Sequence, residues 1–369
     1  MLVFSSMQTT TSSSGGCKYR AIIGAHRAGI ATVNAKSPIC FASVGQLGWA
    51  DDAYENEVGE RTMSLRWVTL AIALLAGNAA AAQSMSFEHI MNIGAGGTAD
   101  GQFQFVEDVA FDSRGRLYVT DAVNANVQVF DKGTGKFIAR FGGKGQGKDQ
   151  FEKPEGIAID KDGNIFVADY MSGYVKKFDK GYQHLLTFSD YGTKEGQNLE
   201  SEFMDIADGL LYMAEAGNHR VDVFDLNGVF KRVIGAKGNG PGQLQRPEAA
   251  RVSKTGLVYV TDLGNNRVQV FTKEGTLVKG WGKEGTAAGE FRKPTGLALD
   301  KQGNVYVSEV YNNRIQVFDK DGKPLASFGT HGKNNGEFDN LHGLAVDERG
   351  YLYACDTGNN RVQVFKPKK

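Results

Sequence analysis

One unit of about 47 residues recurs along residues 86–369, and that repetition limits the fold more than any other feature of the chain. The acidic residue that ends one apolar run returns at Asp121, Asp169, Glu215, Asp262, Glu309 and Asp356, and the phenylalanine that ends the next at Phe130, Phe178, Phe224, Phe271, Phe318 and Phe365; successive copies lie 48, 46, 47, 47 and 47 residues apart in both series. A period of this length belongs to stacked supersecondary units, none of which can bury its apolar face alone. In "KPEGIAIDKDGNIFVADYMSGYVKKFDKGYQHLLTFS", short β-branched and aromatic runs alternate with Gly, Asn and Asp clusters, so each unit reads as consecutive hairpins. The alternation predicts strands over Gly156–Asp160, Ile165–Asp169, Tyr174–Phe178 and Leu185–Ser189, with no run long and periodic enough for a helix. Four antiparallel strands repeated six times predict an all-β, six-bladed β-propeller. Blades are numbered here in chain order, and strands within a blade from innermost to outermost.

The last unit is incomplete. It reaches Phe365 with three strands and then has only Lys366, Pro367, Lys368 and Lys369, whereas "SFEHIMNIG" near residue 86 is a strand-like run with no unit before it. Gly94 precedes Phe103 by nine residues, as Gly142 precedes Phe151, Gly235 Leu244, Gly282 Phe291 and Gly329 Phe338. The spacing therefore predicts that residues near Phe87–Gly94 form the outermost strand of blade six, beside Val362–Phe365. Such closure pairs an open edge and ties the two ends of a large ring together.

Upstream of the repeats, "MSLRWVTLAIALLAGNAAAAQ" from Met63 has a short basic start, an apolar stretch from Trp67 to Ala76 and small residues before Gln83. That layout predicts a signal peptide over 63–83, a secreted or periplasmic product, and a membrane-tethered one if the segment is not cleaved. Residues 1–62 show no periodicity and are expected to be a non-structural upstream extension with Met63 as the start. Cys17 and Cys40 fall before that point, so Cys355 alone would remain and no disulfide framework is expected.

The pattern "FxxPxGIAxDxxGNxYVxDxxNxRVQVF", nearly intact over Phe291–Phe318, resembles the NHL repeat, and the resemblance covers about residues 86–369. It implies an exported bacterial-type six-bladed propeller. Similar proteins include secreted lyases that release peptide amides, RNA-binding propellers and sensor domains, so the fold alone assigns no activity. Those lyases hold zinc with three histidines at the tops of inner strands. Here only His342 falls in such a place; His89 belongs to the closing strand, His184 to an outer strand, His219 to a loop and His331 to a blade connection.

Function is expected where the copies differ. The residue after the recurring Pro, or after its replacement, is read as Glu107, Glu155, Phe203, Glu248, Thr295 and His342, at the mouth of the strand nearest the channel. His342, Glu107 and Glu155 fall in consecutive blades, a set that suits a divalent cation, Ca or Zn, or a cationic ligand. No cofactor is otherwise expected. Tyr170, Met171 and Tyr174 depart from the pattern in one loop of blade two, and Tyr311 occupies the Met171 position in blade five, so these side chains are expected to form a recognition surface. Arg220, Arg267, Arg314 and Arg361 recur with the scaffold and are expected to pair with the acid that ends the second strand. Blade three lacks both the Pro and the Gly of its first strand and reads as two residues short before the second.

Other chemistry finds little support. "GGKGQGKDQF" opens no helix, so it reads as a blade connection and not a phosphate loop. "DKDGN" has Met171 where a calcium loop needs Glu. Cys355 replaces Ala168, Thr261 or Ser308 inside a strand and reads as a small buried residue. Lys+Arg and Asp+Glu are both 42, which argues against a nucleic-acid partner. The sequence thus predicts a monomer, without a membrane span once the signal is cleaved, that binds a peptide, protein or cell-envelope ligand on its loop-bearing top face. A metal-assisted lyase or hydrolase centred on His342 is the alternative.

Overall fold

The computed structural model describes residues 7–11, 17–22, 30–34 and 85–368. The chain divides into two units, Met1–Asn78 and Ala79–Lys369. In the first, strands Met7–Thr11, Cys17–Ile22 and Ile30–Asn34 pair antiparallel in that order. No strand was expected there, although Thr, Ile and Val in these runs suit a pleated sheet. The leader expected at 63–83 lies outside the described residues. Among the described residues no helix is long and apolar enough to cross a membrane.

The second unit is the predicted six-bladed propeller. Blade two illustrates the plan, with strands Pro154–Ile159, Ile165–Asp169, Val175–Phe178 and His184–Phe188 paired antiparallel in sequence order, within two residues of the boundaries read from alternation. Blade six comprises Leu341–Val346, Leu352–Asp356 and Arg361–Lys368, and its outermost strand is Ser86–Ile93. Ile93 stands opposite Val362, Met91 opposite Val364 and His89 opposite Phe365, so the ring closes through the predicted strand.

Because blades pack face to face, both sides of each inner sheet are buried, and the second strands read as apolar runs such as Ile165–Ala168, ahead of the closing acid. The core is divided into six clusters, one between each pair of neighbouring blades. The cluster that joins blade six to blade one includes Ile93, Val106, Val119, Tyr353 and Val362. Six blades in an open row would have only five such interfaces; the sixth is what closure adds.

The nine-residue spacing has a local cause. Gly94 has φ +81°, and a Cβ placed there would lie inside the Phe103 ring, so the glycine lets that ring seat under the strand end. Blade two lacks the pair: Ser189 Oγ accepts instead from Asn198 Nδ2 at 2.8 Å.

The repeated arginines act as the sequence suggests in three blades. Arg267 Nε donates to Asp262 at 2.7 Å, Arg314 Nε to Glu309 at 2.5 Å and Arg361 Nε to Asp356 at 2.7 Å. Arg220 does not follow them. It donates to Asp222 at 2.8 Å, because an acid replaces the glutamine that stands at Gln269, Gln316 and Gln363.

A polar channel mouth as candidate functional site

Each innermost strand starts at the top face, and its second residue points to the axis. Pairing with the acid that ends the second strand fixes which residue this is: Val106 faces Asp121, Pro154 faces Asp169, Ser201 faces Glu215, Pro247 faces Asp262, Pro294 faces Glu309 and Leu341 faces Asp356. The ring is therefore Glu107, Glu155, Glu202, Glu248, Thr295 and His342. Five of the six agree with the sequence reading, and blade three is corrected. Phe203 is 1% exposed in an apolar cluster with Ala249 and Leu297, and Glu202 takes its place at the mouth. The slip has a physical reason: the two-residue turn Asp208–Gly209, with φ of 51° and 74°, replaces a longer one, leaving Ser201 one residue nearer its acid than Pro154 is to Asp169. The shortfall is thus one residue and not two.

Hydroxyls on second strands fix several ring positions from the preceding blade. Thr120 donates to the Glu155 carbonyl at 2.6 Å, Thr261 to that of Thr295 at 2.7 Å and Ser308 to that of His342 at 2.6 Å. The side chains then form one buried polar set. His342 Nδ1 and Glu107 Oε2 are hydrogen-bonded at 2.5 Å, and Phe105 meets the imidazole edge-on at 5.8 Å. Lys153 pairs with Glu155, and its ammonium lies 4.1 Å from the centre of the Tyr170 ring. Arg246 pairs with Glu200 at 2.5 Å.

So many carboxylates buried side by side cannot all remain charged at neutral pH. Burial, then the Glu107 charge, pushes Glu155 up to about 7. Burial with Glu155 and Glu248 beside it drives Glu202 well above the usual carboxylate range, and burial raises Glu248 against the opposing His342 charge. Burial alone would lower His342, but Glu107, its hydrogen bond and Glu248 outweigh it, and the imidazole is raised. A carboxyl with a raised folded pKa keeps a proton that the unfolded chain has released, so its stabilising contribution falls as pH rises, here between about 4.5 and 7 for Glu155. His342 has the same sign, since its contribution is lost above its raised folded pKa. We expect Glu155→Gln/Glu202→Gln to lose less unfolding free energy than the wild type between pH 5 and pH 7.5. Urea titrations at the two pH values check this, and equal losses would count against the shared burial of these carboxyls.

Below the mouth one side chain crosses the channel. Arg251, on blade four, donates to both carboxylate oxygens of Asp108 on blade one at 3.0 and 3.1 Å, to the Met204 carbonyl of blade three at 2.5 Å and to the Leu297 carbonyl of blade five at 3.1 Å. One guanidinium thus spans the axis between opposite blades. The space beneath it, about 230 Å³, is lined mainly by apolar strand ends such as Ile157, Leu299 and Val346.

On the rim, Met171 is 56% exposed, Tyr174 38% and Tyr311 61%, whereas Tyr170 is half-buried against Lys153. Tyr191, 63% exposed, was missed. It stands at the connection position held by Lys144, Lys237 and Glu284 in other blades, a departure the repeat alignment contains. Met171, Tyr174 and Tyr191 line one pocket, while Tyr311 lines another with His331 and Asp339. His342 and Glu107 are in contact, whereas Glu155 pairs with Lys153. Among the described residues no group of three or more His, Cys, Asp or Glu is arranged to hold a metal ion. Cys355 is buried, and burial raises its thiol well above the usual range.

A family model described as 6-bladed beta-propeller matches residues 98–190, and the NHL repeat model matches 244–271, 291–318 and 338–365. No curated protein matches significantly. A Bacteroides thetaiotaomicron protein of unknown function superposes with a TM-score of 0.60 at 14% identity, covering 77% of this chain and 76% of that one. A streptogramin B lyase gives 0.55 at 11% identity, covering 79% and 100%. A gluconolactonase from Xanthomonas campestris gives 0.57 at 14%, covering 77% and 100%. At these identities the likeness is one of fold. The repeat period, the six interfaces and the matched models together make this chain a six-bladed β-propeller that carries NHL repeats over its last three blades and is closed by its own upstream strand.

Proposed function

We propose that the protein is a binding propeller whose top face takes a peptide, protein or cell-envelope ligand, without chemistry of its own. One observation carries this reading: a buried polar cluster of Glu107, Glu155, Glu202, Glu248 and His342 lies at the channel mouth on the face that bears Met171, Tyr174, Tyr191 and Tyr311, and Arg251 spans the axis below it. A polar cluster on the same face as exposed aromatic side chains suits the pairing of a few oriented polar contacts with apolar contact area that binding sites use. The competing reading, metal-assisted lyase or hydrolase chemistry at His342, needs ligands that converge on a common point, and His342 and Glu107 engage each other instead. The leader-like segment 63–83 makes export part of the same proposal.

An immobilised peptide array probed with the full chain tests it. Glu107→Gln/Glu248→Gln and Tyr174→Ala/Tyr191→Ala should each reduce the bound signal by about tenfold or more, the size expected when a buried charge partner or two aromatic anchors are removed. An unchanged binding pattern in both variants would remove this face from the function.

A further inference from the structure

The repeat itself supplies a template for what blade two is missing. In blades four to six, three side chains converge on the buried acid that ends the second strand. In blade four they are Asn265, Arg267 and Gln269, donating to Asp262 at 2.8, 2.7 and 3.3 Å. Asn265 also donates to the Gly238 carbonyl at 3.0 Å, and Arg267 to those of Gly240 and Gln243 at 2.8 and 2.7 Å. The same three types recur at Asn312, Arg314 and Gln316, and at Asn359, Arg361 and Gln363.

Blade two replaces all three, with Ser172, Tyr174 and Lys176. Asp169 is 1% exposed and accepts main-chain bonds, from Glu152 N–H at 2.8 Å and Lys153 N–H at 2.9 Å, but no side-chain donor among the described residues reaches it. Lys176 turns away to the Gly147 and Gln150 carbonyls at 2.8 and 2.5 Å, the pair that correspond to those Arg267 binds. Among the described residues the Gly145 carbonyl, counterpart of Gly238, has no side-chain partner. What remains is a pocket of about 290 Å³ with Asp169 in its wall, Glu152 nearby, and Met171, Tyr174 and Tyr191 at its sides. Gly173 holds this loop close to the next connection: its φ is +71°, and a Cβ there would strike the Tyr191 and Asn198 backbone.

We propose that this vacated scaffold position is a guanidinium site, filled by an arginine side chain of the bound partner. The incoming group would donate to Asp169 and the Gly145 carbonyl, as the chain's own asparagine and arginine do in blades four to six. Tyr174 and Tyr191 are placed to contact its planar face, where an aromatic ring attracts a cation, and the fixed fork of guanidinium donors suits a carboxylate better than an ammonium does. This rests on the top-face binding reading and names the chemistry that one part of that face selects.

The probe is Nα-acetyl-arginine amide, titrated into the full chain by calorimetry, with the neutral isostere Nα-acetyl-citrulline amide as control. The arginine derivative should bind and the citrulline derivative should bind at least about tenfold more weakly, the worth of one charge-assisted pair. Asp169→Asn should cost the arginine derivative a similar factor. The triple change Ser172→Asn/Tyr174→Arg/Lys176→Gln restores the residues of the other blades, so it should fold, fill the pocket from within and abolish binding. It decides the matter even if Asp169→Asn fails to fold. Equal binding of the two probes, no binding by the wild type, or undiminished binding by the triple variant would overturn the proposal. If any of these occurs while Tyr174→Ala/Tyr191→Ala still lowers the array signal, the guanidinium assignment fails and the top-face reading stands.

Discussion

Arg251→Met should lower the free energy of unfolding by about 3–5 kcal/mol, the usual cost of removing one member of a buried ion pair and stranding the other. Asp108 is fully buried, and burial already pushes its carboxyl above the usual range against the opposing pull of Arg251. Without the guanidinium it must take a proton or admit water. The Met204 and Leu297 carbonyls lose their side-chain donor at the same time. The double change Asp108→Asn/Arg251→Met removes the stranded charge and should recover more than half of the loss, because most of the single-variant penalty is desolvation of the orphaned partner. Denaturant titrations of the two single variants and the double variant measure the coupling. A loss below about 1 kcal/mol for Arg251→Met would mean that the pair contributes no more than one on the surface.

Deleting Ser86–Ile93 should be more damaging, costing over about 5 kcal/mol and so a large part of the 5–15 kcal/mol typical of a domain. The strand supplies Ile93 and Met91 to the core between blades six and one, and Phe87 to the core between blades five and six, where its ring stacks on Phe328 at 4.7 Å. Its removal also bares the backbone edge of Arg361–Lys368, which would then be free to recruit another chain. The deleted protein should melt well below the parent or self-associate, as followed by circular dichroism and light scattering. A synthetic peptide of residues 85–94 should restore much of the loss by adding a strand in trans. A deletion variant that melts with the parent as a monomer would refute the closure.

The ring count, the closing strand and five of the six channel-mouth residues were legible because each has a fixed place in a 47-residue period, and period is a property of sequence. Glu202 was misplaced by one position because a compensating turn lies inside the hairpin, after the residue being counted. The Arg251–Asp108 link joins residues 143 apart on opposite blades, and no local pattern announces it. Arg220 pairs with Asp222 for a reason visible only by comparing columns of the repeat: a glutamine has become an acid two residues along. The blade-two vacancy is written in the same columns, yet Ser172 and Lys176 gain meaning only once the bonds made by Asn265 and Gln269 are known.

Closure by an upstream strand also decides how the molecule can be mounted. Ser86 stands opposite Lys368, and both lie at the end of blade six remote from the top connection that follows Ile93. Any handle joined at either terminus of the propeller therefore leaves from the underside, so a molecule held by it presents the carboxylate cluster and the exposed tyrosines of the top face outward.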